Sequence, residues 1–435
     1  MDKNGNVEPD GATSGGLSVM SALARVGGAS AFALVAMVAI SPVLARLCTQ
    51  EEFGVYGVFL STATILAAIA PLGYPEGILA PPSRRQSDAL FAASLYSAAV
   101  VGTACTAILV LALWLYPGGS AILPWWGGPL LVPTVIGMAV SYSVQIFVAR
   151  STDWRAAQHI VVVQACLRMT LQLSFAFLGF GAVGLALAEG LMRSLTAGFG
   201  LWRIRLPFAE RILPITLREV ANAALSYWRF PAIRMPSSFL NNVATLAPTP
   251  LIAAVYGLNA AGLWVLVDQV INVPLGFVNK TVGDVFAGYF TRAFHDDPGK
   301  ARKLFWTTAA ALVPIGLIPS VALWYLGSEI FAVAFGQNWR PAGELAGLMA
   351  WVLFARFVAQ PLSWACNTVN RPEAKLLFDF FQIALVAGVF MFSWVVNVDF
   401  NDFAMLLTGA YVLAYIALLC LTGWAITTPR RTVEG

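Results

Sequence analysis

The chain has 435 residues, of which 59% are hydrophobic and 11% charged. Water-soluble domains carry roughly a quarter charged residues, so this composition excludes a soluble domain and places the chain in a membrane. The formal net charge of +4 gives no argument for a nucleic-acid partner, because so little of the surface faces water.

The first sixteen residues, MDKNGNVEPDGATSGG, are polar and lack the basic start and cleavage site of a signal peptide, so residues 1–25 are expected to form a retained cytoplasmic tail. A helix needs about 20 apolar residues to cross the hydrocarbon. Windows of that kind predict six spans at 26–47, 54–74, 89–115, 128–149, 157–179 and 182–202. Residues 203–235 are too polar to span, and their arginines alternate with apolar residues. This segment is expected either to lie on the anionic cytoplasmic leaflet as a basic amphipathic linker or to be a plain solvated connector. Six further spans follow at 237–256, 261–283, 304–326, 343–365, 375–396 and 403–426. The fold expected is all-α and polytopic, with about twelve transmembrane helices. An amino-terminal bundle (26–202) and a carboxy-terminal bundle with a short tail (236–435) would enclose a central cationic lumen.

Lysine and arginine concentrate in alternate loops, at 80–88, 150–156, 203–235, 291–303 and 371–375, which predicts that both termini face the cytoplasm. The stretch starting at Glu51 aligns with that starting at Asn259, Gly54 falling on Gly262 and Tyr56 on Trp264. Each opens the second helix of its half, as expected for parallel repeats about an axis along the membrane normal. The five cysteines are scattered and show neither metal nor disulfide spacing, and His295, Asp296 and Asp297 read as turn chemistry rather than a metal site. No cofactor is expected.

Charges inside the spans carry the functional signal. Gln164, Arg168 and Gln172 are spaced by four and form one stripe. So do Arg356, Gln360, Ser363 and Asn367, and Asp268 with Asn272. A cation at a helix centre costs roughly 2.5–3.5 kcal/mol on insertion scales, so such stripes belong on a bundle interior or a wet cavity. Arg168 and Arg356 have no acid three or four residues away and are candidate contacts for an anion, with arginine forks suited to phosphate oxygens. Arg193 pairs with Glu189 at i, i+4, and Lys280 with Asp284, so each is either a self-neutralised bridge or a substrate contact. Arg25 is either a lumen residue or an interfacial anchor. The candidate substrate-binding set is therefore Arg168, Arg356, Arg193, Lys280, Arg25, Gln164, Gln172 and Gln360. Asp268, Asp379 and Glu189 are candidates for coupling to a proton or a sodium ion.

The stretches LARLCTQEEFGVYGVFLSTATILAAIAPLGYPEGILAP, YWRFPAIRMPSSFLNN, NAAGLWVLVDQVINVPLGFVNKTVGDVFAGYF and YLGSEIFAVAFGQNWRPAGELAGLMAWVLFARFVAQPLS carry a resemblance. The chain resembles bacterial polysaccharide-biosynthesis membrane proteins of the O-antigen flippase type, in the multidrug/oligosaccharidyl-lipid/polysaccharide exporter superfamily. The resemblance implies two six-helix bundles in a V around a central lumen. It also implies movement of undecaprenyl-diphosphate-linked oligosaccharide from the cytoplasmic to the periplasmic leaflet of the bacterial inner membrane, for O-antigen, capsule or exopolysaccharide synthesis. The chain would act as a monomer, alongside polymerase and chain-length machinery. The family's Arg-Tyr-Glu run after the second helix is replaced here by Gly73, Tyr74, Pro75 and Glu76. A multidrug antiporter of the same superfamily, a membrane glycan polymerase or ligase, and a scaffold are the alternatives. Short outer loops without an acidic cluster argue against the enzymes.

Overall fold

The computed structural model describes residues 32–33, 35–115, 123–151, 153–204, 215–369 and 371–427, and each of the twelve apolar windows holds helix. No strand forms among the described residues. The amino-terminal half consists of α1 (Val35–Leu47), α2 (Gln50–Ile69), the short α3 (Tyr74–Gly77), α4 (Arg84–Leu115), α5 (Gly127–Ser151), α6 (Trp154–Phe177) and α7 (Gly181–Arg203). A linker helix, α8 (Leu217–Ser226), leads to a π turn (Phe230–Arg234), α9 (Met235–Leu246) and α10 (Pro248–Tyr256). The chain then continues through α11 (Leu258–Asp296), α12 (Pro298–Phe335), α13 (Arg340–Leu362), the short α14 (Ala365–Thr368), α15 (Pro372–Val396) and α16 (Phe400–Thr427).

Among the described residues, eight helices are individually long and apolar enough to cross a membrane, and a bent pair makes a ninth. That pair, Phe230–Leu246 with Pro248–Tyr256, bends by 41°. Pro248 and Pro250 each remove a backbone donor at the break, which is the usual cause of a kink. The helix begins at Phe230, earlier than the apolar pattern marks, because the π turn carries it through residues that look like linker. Of the remaining windows, α7 and α11 are long enough, but α7 carries the Glu189–Arg193 pair and α11 the Asp268–Asn272 stripe, and α1 is described only from Val35. At 39 and 38 residues, α11 and α12 overreach a bilayer core of about 30 Å.

The linker helix α8 is amphipathic in its contacts. Thr216 and Glu219 form a capping box at its start, and Val220 and Ala223 are buried. Leu217, Leu225 and Trp228 are exposed, as suits a helix resting on lipid.

The two halves share one core at one end; at the other their cores are distinct and they meet through the π turn, where Phe230 and Met235 lie against Gly73. At the end where α2 and α11 begin, one core runs through both halves and includes Leu44, Phe53, Ile252, Trp264, Phe331 and Trp339. The Trp339 indole donates to the Ala45 carbonyl at 2.6 Å and packs edge-on against Phe53. Arg46 donates to the Val333 carbonyl at 2.7 Å, and Gln50 to that of Asn338. At the opposite end each half has its own core, one around Leu90, Phe91 and Phe147, the other around Phe290, Phe305 and Leu362.

Two glycines make the joint possible. A Cβ on Gly54 would lie 2.0 Å from the Leu258 carbonyl oxygen, and one on Gly262 would lie 1.8 Å from that of Gln50. Gln50 precedes Gly54 by the same four residues as Leu258 precedes Gly262, so the contact is reciprocal, as a twofold relation between repeats requires. Only glycine allows α2 and α11 to touch backbone to backbone there.

A candidate binding cavity between the halves

Arg168 lies midway along α6 and Glu189 midway along α7. The two helices form a hairpin whose turn contains Gly179 and Gly181 at positive φ. Both residues are about ten positions from that turn, so at 1.5 Å per residue they lie level, about 15 Å along the hairpin. Arg168 thus reaches Glu189, with Nη2 3.0 and 3.2 Å from the two carboxylate oxygens. Arg193, one turn on from Glu189, donates from Nε at 2.8 Å. The Tyr56 hydroxyl of α2 donates to Glu189 at 3.4 Å and accepts from the Gln172 amide at 3.1 Å.

Arg168 is therefore not the unpaired cation that spacing along one helix suggests. Its acid comes from the neighbouring helix, and Arg193 shares it. The Glu189 side chain is fully buried, whereas those of Arg168 and Arg193 are 19% and 20% exposed. Two guanidiniums against one carboxylate leave one net positive charge. Arg168 retains spare donor capacity: its Nε is buried with no partner among the described residues, and Nη1 meets only the Met37 sulfur at 3.5 Å.

Both arginines and Gln172 wall a cavity of about 250 Å³ that lies between the halves. Across it are Thr245 and Thr249 from the bent helix and Asp268, Gln269 and Asn272 from α11. A second cavity of about 130 Å³ continues into the carboxy-terminal half, and the two share Thr245, Asp268 and Asn272.

Arg356 of α13 lines this second cavity. It donates to Asn272 at 2.6 Å and to Gln360 at 2.8 Å, and no carboxylate pairs with it among the described residues. Asn272 in turn donates to Asp268, and Asn279 donates to Gln360 at 2.7 Å. The stripes on α11 and α13 thus bond to each other, which is how polar faces avoid lipid. Asp379 lines the same cavity from α15.

The arrangement brings together Arg168, Arg193, Gln172, Asp268, Arg356, Gln360 and Asp379. Gln164 stands a turn from Arg168 and outside both cavity walls. Arg25 and the side chain of Lys280 lie outside the described residues. Reading one helix at a time missed Tyr56 as a Glu189 partner, Asn279 beside Gln360, and Tyr411 and Tyr415 in the second cavity. The available signal was the similar distance of Arg168 and Glu189 from the glycine turn, nine and eight residues from the adjoining helix ends.

Three comparisons bear on identity. Residues 43–344 match the family described as polysaccharide biosynthesis protein. The succinoglycan biosynthesis transport protein ExoT of Rhizobium meliloti (strain 1021) is 26% identical over 321 residues, covering 71% of this chain and 61% of that protein. Among solved structures, an inward-facing multidrug resistance MATE family transporter of the MOP superfamily superposes with a TM-score of 0.74 at 14% identity, covering 92% of this chain and 96% of its own. The lipid II flippase MurJ in an inward closed conformation gives 0.71 at 9% identity, covering 91% of this chain and 86% of its own. The helices, their order and the cleft between the halves therefore follow the fold of these transporters, and the chain belongs to the polysaccharide biosynthesis protein family.

Proposed function

We propose that the chain is a flippase that carries polyprenyl-diphosphate-linked oligosaccharide from the cytoplasmic to the outer leaflet of the bacterial inner membrane. The observation that carries this reading is the pair Arg168 and Arg193 at the wall of a cavity between the halves, with one carboxylate between them. Low-dielectric walls focus the field of the two guanidiniums at their side of the cavity, and their forks replace the water that a diphosphate loses on entry. The ancestry of the chain in polysaccharide synthesis and the flippase and transporter folds it resembles support the same reading.

Alternating access is the mechanism we infer. The end at which the halves have distinct cores carries Arg84, Arg85, Arg292, Lys300, Arg302 and Lys303, and the positive-inside rule makes that end cytoplasmic. The described conformation then has its outer end sealed by Trp339 and the Gly54–Gly262 contact. Opening that seal while closing the other end would release the glycan outward. An inside-negative potential of 100 mV favours outward movement of each negative charge by roughly 2.3 kcal/mol if it crosses the full field. Asp268, where the two cavities meet, is the best-placed carboxylate for ion coupling, because Glu189 is held by two arginines. A multidrug antiporter is the second reading. The paired guanidiniums on one wall oppose a cationic drug there, which favours the flippase.

The test is export in cells and translocation in vesicles. Arg168→Gln and Arg356→Gln should abolish glycan export at unchanged protein level; export at the parental rate from both variants would overturn the reading.

A further inference from the structure

The cavity in the carboxy-terminal half differs in chemistry from its neighbour. Two cationic side chains, Arg356 and Lys375, face two anionic ones, Asp268 and Asp379, and cancel. Four large aromatic residues, Trp264, Phe378, Tyr411 and Tyr415, line its walls and are at most 8% exposed. Arg356 is already committed to Asn272 and Gln360. By contrast, the side chains of Asn241, Lys375, Gln382, Tyr411 and Tyr415 make no hydrogen bond among the described residues, although all five line the space. Unspent donors and acceptors therefore alternate around a small, electrically neutral chamber.

A phosphate offers acceptors only, and here it would meet Asp379 as well as the shared Asp268 while Arg356 is already bonded elsewhere. A hydrophobic cation would leave the amides and hydroxyls unpaired at a cost. A pyranose presents hydroxyls that both donate and accept, and its C–H faces lie flat on aromatic rings. Tyrosine and tryptophan suit this duty, since each combines an apolar body with a polar tip. The volume, about 130 Å³, is on the scale of a single sugar ring, and the chamber adjoins the arginine-walled cavity, sharing Thr245, Asp268 and Asn272 with it.

We propose that this chamber is a sugar subsite that takes the hexose nearest the diphosphate, while Arg168 and Arg193 hold the diphosphate in the adjoining cavity. The proposal rests on the flippase reading and deepens it: the anionic part of one substrate faces the paired arginines, and its neutral part faces the aromatic chamber.

The experiment measures binding of two probe types to the full chain in lipid nanodiscs: undecaprenyl diphosphate, and the same lipid carrying one glucose or one galactose. Two or three net hydrogen bonds correspond to about tenfold in affinity, so the wild-type protein should bind at least one hexosyl lipid about tenfold more tightly than the bare lipid. Tyr415→Phe, Tyr411→Phe and Gln382→Leu should each reduce that advantage to about threefold or less, and leave affinity for the bare lipid unchanged. The two tyrosine changes remove only a hydroxyl, so folding is preserved. Arg168→Gln should weaken both probes by the same factor. Equal wild-type affinity for bare and hexosyl lipids, or chamber variants that weaken both alike, would overturn the sugar subsite. Bare-lipid binding untouched by Arg168→Gln would instead overturn the diphosphate site, so the two ideas fail separately.

Discussion

Replacing Gly54 by alanine tests the joint between the halves with one methyl group. The added Cβ would lie 2.0 Å from the Leu258 carbonyl oxygen, whereas ordinary contact begins at 3.4 Å, so α2 and α11 must separate by about 1.4 Å. Both are backbone, and no side-chain rotation relieves the clash. Overpacking of this kind costs about 1–3 kcal/mol. That energy falls on the sealed state alone, so the population open at this end rises by about 5- to 150-fold. Cys48 is a native reporter beside the joint and is 6% exposed. With the other four cysteines replaced, its alkylation by a membrane-impermeant maleimide should accelerate at least fivefold in Gly54→Ala. Gly262→Ala should behave alike, and the double variant should gain little more, because both changes break one contact. An unchanged Cys48 rate in folded Gly54→Ala protein would refute the claim that this crossing holds the end shut.

Glu189→Leu leaves two guanidiniums facing each other without their carboxylate, and removing one partner of a buried ion pair costs about 3–5 kcal/mol. Thermal unfolding in detergent should show that loss, with recovery when Arg168→Gln is added. Trp339→Phe keeps the ring packed on Phe53 but deletes the donation to the Ala45 carbonyl, a loss of about 0.5–1.5 kcal/mol, and should raise Cys48 labelling by a smaller factor than Gly54→Ala. The Glu219 carboxylate is held below its usual range by the Thr216 backbone N–H, the Thr216 hydroxyl and Arg85. A depressed pKa gives stability that is present above the ordinary glutamate value of about 4.3 and lost as pH falls through the lower folded value. The protection factor for amide exchange at the start of α8 should therefore stay flat from neutrality down to about pH 5 and fall only in stronger acid.

Much of this architecture can be read from the chain because membrane helices are dictated locally. Twelve apolar windows hold helix, and Arg168, Gln172, Asp268, Asn272, Arg356 and Gln360 face the cavities because hydrocarbon offers them nothing. The repeat signal was faint in sequence, yet Gly54 and Gly262 turn out to touch each other, which is why neither position can carry a side chain. Non-local partners were not legible. Spacing along one helix sees neighbours three and four residues away, so it found Glu189 with Arg193 and missed Glu189 with Arg168. The start at Phe230 depends on packing against α2 and α3, which no single-helix pattern encodes. Tyr411 and Tyr415 look like ordinary apolar-helix residues until the fold sets them opposite Asp268 and Arg356.

The most direct measurement is translocation by purified protein in sealed vesicles containing polyprenyl-diphosphate-linked oligosaccharide, read by the fraction of glycan that becomes accessible to an added glycosidase. Transfer should be fast with the wild-type chain, lost with Arg168→Gln, and accompanied by no new covalent product. Transfer by Arg168→Gln at the wild-type rate, or none by correctly folded wild-type protein, would contradict an arginine-walled cavity as the route of the diphosphate.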